Sequence, residues 1–418
     1  MFKAISPVGH PLSWTQILGV SKKVPRDTNF LLRCFPSLSV FPVSSGTAAL
    51  TVSLLILKKT SPKNEVILPA YSCPSLVAAV VKAGLTPVLC DMQPSRLTFD
   101  LERLAALVGP QTLAVIAVHL FGIPEDVSAI KKLAETNAFF VLEDAAQAFG
   151  NYCHALKGPY GALGDLGVVS FGRGKPLNLL SGGAVILNQP ALMPHAESVY
   201  ASLPSPSQVG FLPGYILLLL LYSVFFHPRT HWLPRSIPFL KLGETYYIDN
   251  FFIGRTGPGV LGVGESVYKN FPEIRETRKI LSQRYIQMLT PYSDQLSFIP
   301  DIESADDTAM LRFPIIFKDP AKRDLLLSAL LKNGLGATGS FPVPLNELEG
   351  AAPHIKKTQS GFPNAKAISQ RILTLPLHRF VRNNEISDIA NFFSRIMSDR
   401  PRDQSGRRMD LLQGSLRG

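Results

Sequence analysis

At 418 residues the chain exceeds what one hydrophobic core usually serves, so a large domain with a smaller companion is expected. Hydrophobic residues make up 46% and charged residues 17%, which excludes wholesale disorder. The formal net charge of +11 is scattered, with no dense Lys/Arg run and no zinc-finger or helix-turn-helix pattern. That excludes nucleic acid as the partner and favours a phosphate-bearing ligand or an acidic membrane face.

The amino-terminal MFKAISPVGHPLSW lacks the apolar run of a secretory signal, so a cytoplasmic location is expected. The four cysteines, Cys34, Cys73, Cys90 and Cys153, show no CxxC spacing and read as small buried or half-buried thiols in a reducing compartment, with no metal ion implied. From residue 38 to 188 apolar runs alternate with helical stretches. Strands are predicted over residues 39–43, 65–69, 86–91, 113–120, 139–143, 167–171 and 184–187. These runs are nearly continuous in Val, Ile, Leu and Ala, as strands buried on both faces require. The alternation predicts an α/β fold with a mostly parallel, helix-flanked sheet. Such sheets bind ligands beyond the carboxyl ends of their strands.

Residues 190–264 break the pattern with prolines and an apolar insertion at about 209–240. The segment GYILLLLLYSVFF, residues 214–226, carries no charge. Thirteen helical residues reach roughly 20 Å, short of the ~30 Å hydrocarbon core, so a full span is not expected. A run apolar on every side reads as a buried helix or as an in-plane contact with a membrane through residues 211–235, with Arg229, Trp232 and Arg235 at headgroup level. A long amphipathic helix follows, then LRFPIIFKD, AKRDLLLSALLKNG and RILTLPLH. The expected division is therefore a large domain over residues 1–264, a smaller α+β domain over 265–398 and a disordered polar tail over 399–418.

Three segments can carry chemistry. SSGTAAL, residues 44–50, follows a strand and opens a helix, where small residues and free amides suit a phosphate. Ordinary capping by Ser45 or Thr47 is the competing explanation. FFVLEDAAQAFG, residues 139–150, sets Asp144 at a strand end, where a carboxylate can hold a protonated pyridine nitrogen or cap the next turn. Gln147 follows three residues later. GDLGVVSFGRGKPLNLLSGGAVILN, residues 164–188, carries Ser170 and Lys175 on a glycine-rich loop. A lysine there can close an imine, or simply be solvated.

The order of these pieces, together with VILPAYSCPSLVAAVVKAGLTPVLCD, VHLFG and FPNAKAISQRILTLPLH, resembles the DegT/DnrJ/StrS family of pyridoxal-phosphate-dependent sugar aminotransferases. The resemblance implies the aspartate aminotransferase-type fold and pyridoxal 5'-phosphate as cofactor. It implies Lys175 as the Schiff-base lysine, Asp144 as partner of the ring nitrogen, Gln147 at the phenolic oxygen, and Ser45, Gly46, Thr47 and Ser170 around the phosphate. Glutamate would donate the amino group and a nucleotide-linked keto-sugar would accept it, in a homodimer, for polysaccharide or glycoconjugate synthesis. A dehydratase branch carries histidine in place of the lysine, so Lys175 points to transamination. Three positions depart from the family. Cys73 stands where many members stack an aromatic ring on the cofactor. Asn250 is the one asparagine near the segment from which a partner subunit reaches the phosphate. Asn346 replaces a histidine. Two other readings remain open: another pyridoxal-phosphate reaction on the same fold, and a catalytically retired homologue acting as a membrane-associated scaffold.

Overall fold

The apolar runs assemble into one seven-stranded sheet in the computed structural model, which describes residues 3–25, 29–237, 245–298, 300, 307–358 and 361–398. The tail over 399–418 and the Arg235 side chain lie outside the described residues. In chain order the strands are β1 (Ser39–Val43), β2 (Glu65–Pro69), β3 (Thr86–Cys90), β4 (Thr112–Val118) and β5 (Phe140–Asp144). A small hairpin, β6 (Tyr152–Cys153) and β7 (Gly158–Pro159), precedes β8 (Leu166–Ser170) and β9 (Gly183–Leu187). Every predicted strand of the sheet is present, with ends moved by at most two residues.

The spatial order is β1-β9-β8-β5-β4-β2-β3. Strands β3, β2, β4, β5 and β8 pair in parallel, and β9 runs antiparallel to both β8 and β1. Six strands, β1 included, therefore end at the same edge of the sheet, and β9 begins there. Successive side chains alternate between two cores. Val66, Leu68, Ile116 and Val168 enter one, while Ile67, Val115, Ala117 and Val169 enter the other.

The first core is covered by α3 (Gly46–Lys58), α4 (Ser75–Lys82) and α7 (Met193–Ser202). The second is covered by α1 (Trp14–Ile17), α2 (Phe30–Cys34), α5 (Leu101–Leu107), α6 (Val127–Asn137) and α10 (Val260–Tyr268). Between them in sequence come α8 (Gln208–Phe225) and α9 (Trp232–Arg235). Helix α8 begins six residues before the predicted apolar run. Ser207 caps it by accepting from the Gly210 amide, and Pro213 lies inside it. At 18 residues it is about 27 Å long rather than 20 Å.

The carboxyl-terminal part packs α11 (Phe271–Leu289), α12 (Pro320–Lys332), α13 (Pro363–Arg371) and α14 (Asn383–Ser398) with an antiparallel sheet. That sheet has the order β10 (Leu296–Phe298), β11 (Arg312–Phe317), β12 (Ile372–Pro376). Its core is built on Tyr285, Phe313, Phe317, Leu326 and Phe393. Ile5 joins this core, and its amide donates to the Gly334 carbonyl at 2.8 Å, so the first residues of the chain staple the small domain. Helix α10 crosses residues 264–265 wholly within the large core, and α11 starts there at Phe271 and ends in the small core at Leu289. We propose that the two domains divide along α11.

Strand β8 has no room for a side chain at Gly167. A Cβ there would sit 1.7 Å from the Gly161 carbonyl oxygen. Gly167→Ala must push β8 off its neighbours, so a loss of about 3 kcal/mol or of soluble protein is expected. Thermal unfolding checks this, and an unchanged midpoint would contradict the packing described.

Candidate active site

Because six strands end together, residues far apart in sequence meet at one edge. Ser45, Gly46 and Thr47 follow β1, Cys73 follows β2, His119 follows β4, Asp144 ends β5, and Ser170 ends β8 just before the Lys175 loop. Gly182 and Gly183 return the chain into β9. Three of these backbones are pressed together. A Cβ on Gly46 would lie 2.5 Å from Ser170 Cβ, and one on Gly183 would lie 2.7 Å from the Ser45 carbonyl carbon. Only hydrogen fits at either place. The result is a cradle at the amino end of α3, a 13-residue helix whose first amides and dipole favour an anion.

Ser45 is the N-cap of α3, its hydroxyl oxygen accepting from the Ala48 amide at 3.0 Å. Capping and anion binding are compatible, because the same hydroxyl retains its own proton to donate. Thr47 is half-buried in the first turn, with its carbonyl accepting from the Thr51 hydroxyl. Ser170 is buried, and its Oγ receives the Gly172 amide at 3.4 Å.

Asp144 is 8% exposed. One carboxylate oxygen accepts from the Ala146 amide at 2.9 Å. Burial raises its pKa above the ordinary aspartate range, and the ammonium of Lys175 is the largest charge pulling it back down. Those two side chains thus share one electrostatic environment. Gln147 is half-buried, and its side-chain oxygen accepts from the Phe121 amide at 3.1 Å, which turns its NH2 to the other side as a donor. Lys175 is half-buried in a loop turned by Gly174 at φ +75°, with its amide bonded to the Gly172 carbonyl at 3.2 Å.

Two supports had no sequence assignment. His119 and Glu143 are fully buried, and Glu143 occupies the opposite face of β5 from Asp144. The His119 Nδ1 accepts from the Glu125 amide at 3.0 Å, so its Nε2 carries the proton and donates to Glu143 at 2.9 Å. The other Glu143 oxygen takes the amides of Leu163 and Gly164, and the His119 amide donates to the Asp144 carbonyl. This network holds β4, β5 and the approach to β8 in register under the site. Arg278 of α11 is also fully buried and donates to the Pro176 carbonyl at 3.0 Å, fixing the residue next to Lys175. VHLFG marked His119 as part of a pattern but gave it no role, and a single Arg in an amphipathic helix carries no signal at all.

Cys73 is half-buried, with its thiol 3.2 Å from the Ser75 hydroxyl. Tyr71 is buried edge-to-face against Phe341 of the small domain at 5.5 Å. The Leu345 amide donates to the Ala70 carbonyl at 2.9 Å, so the segment from Phe341 to Asn346 closes over the loop that carries Cys73. The Asn346 Oδ1 is buried there without a hydrogen-bond partner among the described residues. Asn250 lies beside Lys82 and Tyr247 in a hollow over α4 of its own chain. Among the described residues no His/Cys/Asp/Glu cluster could hold a metal ion.

The model of the DegT/DnrJ/EryC1/StrS aminotransferase family matches residues 37–202 and 262–394. Among curated relatives, a dTDP-4-dehydro-2,3,6-trideoxy-D-glucose 4-aminotransferase of Saccharopolyspora spinosa is 25% identical over 84% of this chain and 83% of its own. A UDP-N-acetyl-3-dehydro-alpha-D-glucosamine 3-aminotransferase of Acidithiobacillus ferrooxidans is 25% identical over 85% and 83%. Among solved structures, the aminotransferase TlmJ of Streptoalloteichus hindustanus superposes with a TM-score of 0.73 at 23% identity, over 94% of this chain and 99% of that one. A Streptococcus pneumoniae protein in its PLP form gives 0.72 at 19% identity, over 94% and 98%. The intervening residues 203–261, which include α8, fall outside the family match.

The raised pKa of Asp144 gives a pH test of the site. A carboxyl raised by folding contributes stability below the ordinary aspartate pKa of about 4 and loses that contribution as pH rises through its folded value. Cofactor-free Asp144→Asn should therefore unfold at a higher temperature than cofactor-free wild type at pH 7, with the two converging in acid. Thermal scans across pH check this, and a variant less stable than wild type at pH 7 would contradict it.

Proposed function

The chain belongs to the DegT/DnrJ/EryC1/StrS aminotransferase family, and from that premise we propose that it transfers an amino group from glutamate to a nucleotide-linked keto-sugar, using pyridoxal 5'-phosphate. Both curated relatives described above act on nucleotide-linked keto-sugars by name, which supports this acceptor class. The observation that carries the reading is the meeting, at one sheet edge, of an anion cradle, a buried carboxylate and a lysine.

The residues present fit the cofactor. Gly46 and Gly183 let the start of α3 close against Ser170 and the start of β9, and the α3 amides with the Ser45, Thr47 and Ser170 hydroxyls supply donors for a phosphate. Asp144, buried and held by the Ala146 amide, suits a cationic ring nitrogen, because a neighbouring positive charge offsets the cost of keeping it ionised. Gln147 offers its NH2 to a phenolic oxygen. When bound, pyridoxal phosphate supplies an electron sink that acidifies the donor's α-C–H and a carbon that carries the amino group between substrates. Lys175 Nζ would hold the cofactor, and its free amine would move the proton at the donor's α-carbon and at the acceptor carbon. Arg278 and Gly174 hold the loop from which that amine works. Cys73 would lie over the ring in place of an aromatic side chain. The reading includes a cytoplasmic homodimer.

Kinetics with glutamate and a panel of nucleotide keto-sugars test this. Lys175→Ala should lower kcat by about 10²–10⁴-fold, the range a positioned acid–base group supplies. Ser170→Ala should weaken pyridoxal phosphate binding about tenfold with the fold intact. A wild type that transfers no amino group to any keto-sugar nucleotide, or a Lys175→Ala variant as fast as wild type, would overturn the proposal.

A further inference from the structure

Helix α8 stands apart from the other described helices. It is the one described helix long and apolar enough to cross a membrane, yet it is only 11% buried in the fold. A core helix of this composition would be covered, and a signal sequence would lie at the chain's start. Helix α8 is neither.

Its two sides differ in what they touch. Tyr215, Leu219, Tyr222 and Phe226, spaced by four, three and four, form one stripe against the body. The Tyr215 hydroxyl donates to the Leu179 carbonyl at 2.9 Å and the Tyr222 hydroxyl to the His10 carbonyl at 3.1 Å. The opposite stripe, Leu217, Leu218, Leu221 and Val224, is 45–57% exposed. Helix α1 lies against α8 and adds Trp14, 65% exposed, with Leu18 just after it at 69%. An exposed patch of this kind marks an interaction surface.

Charge identifies the occupant. Residues 198–243 contain no Asp or Glu, and neither do residues 1–26. Exposed cations flank the patch: Arg229 beyond the end of α8, Lys22 and Lys23 beyond Leu18. Glu265, on the helix packed behind this region, is committed to an ion pair with Arg33 at 2.7 Å. A second copy on the same patch would set like charges against one another across a two-fold axis. An apolar face flanked by cations matches the boundary between acyl chains and anionic headgroups.

We propose that the exposed stripe of α8, with Trp14 and Leu18, docks the protein in the plane of a bilayer carrying anionic lipid. Helix α8 does not cross. Leaving the fold would strip Tyr215, Leu219 and Phe226 of their cover and break the hydrogen bonds to Leu179 and His10. Leu179, which accepts from the Tyr215 hydroxyl, lies four residues from Lys175, so α8 is tied to the segment that carries the lysine.

The proposal stands independently of the substrate and is tested without activity. Full-length protein is sedimented with vesicles of phosphatidylcholine alone and of phosphatidylcholine mixed with phosphatidylglycerol. It should pellet with the mixed vesicles and be released at high salt. Leu217→Glu/Leu221→Glu should stay in the supernatant, and Arg229→Gln should partition about fivefold more weakly. Circular dichroism of both variants should match wild type, since the altered side chains are exposed. Wild type that ignores both vesicles overturns the proposal. So does a double variant that drops to half the wild-type mass in light scattering without vesicles, because a second copy would then be the occupant.

Discussion

A carboxylate kept out of water at the end of β5 is the constraint around which the rest is arranged. Burial raises the pKa of Asp144, and a nearby positive charge opposes that rise. The chain brings Lys175 from one side, and a cationic ring nitrogen is the natural complement. Parallel pairing is what makes this possible. It sends β1, β2, β4, β5 and β8 to the same edge, so an anion cradle, a carboxylate and an amine are assembled from segments up to 130 residues apart without any of them being long or flexible.

Beneath the edge lies a second, silent layer. Adjacent residues of a strand face opposite sides, and β5 uses this to separate two acidic roles. Asp144 faces the site, whereas Glu143 is saturated by His119 and the Leu163 and Gly164 amides. The saturated carboxylate ties the strands together, and the other keeps one amide partner, Ala146. Gly167 against Gly161 and Arg278 against Pro176 extend the same rigidity to β8 and the lysine loop. Phe341 and Leu345, from the carboxyl-terminal part, pack over the loop after β2.

Much of this was legible in the sequence because the large sheet is buried on both faces, and its strands appear as uninterrupted runs of Val, Ile, Leu and Ala. Ser45, Gly46, Asp144, Ser170 and Lys175 stood out since each follows or ends such a run. The antiparallel insertion of β9 between β8 and β1 was not legible, as periodicity carries no pairing information. Helix α8 extends beyond the apolar run at residues 214–226, because the Ser207 cap starts it six residues earlier. His119, Glu143 and Arg278 escaped notice since their importance comes from partners distant in sequence. The departures at Cys73 and Asn346 lie in two segments that pack against one another, away from the cradle and the carboxylate.

The central claim is that the Lys175 amine and the Asp144 carboxylate flank one pyridoxal phosphate. Borohydride reduction of the purified protein mixed with pyridoxal phosphate, followed by peptide mass mapping, tests it most directly. A single phosphopyridoxyl group on the peptide containing Lys175 is the predicted result. Labelling that is absent, or spread over surface lysines and unchanged in Lys175→Ala, would contradict the account.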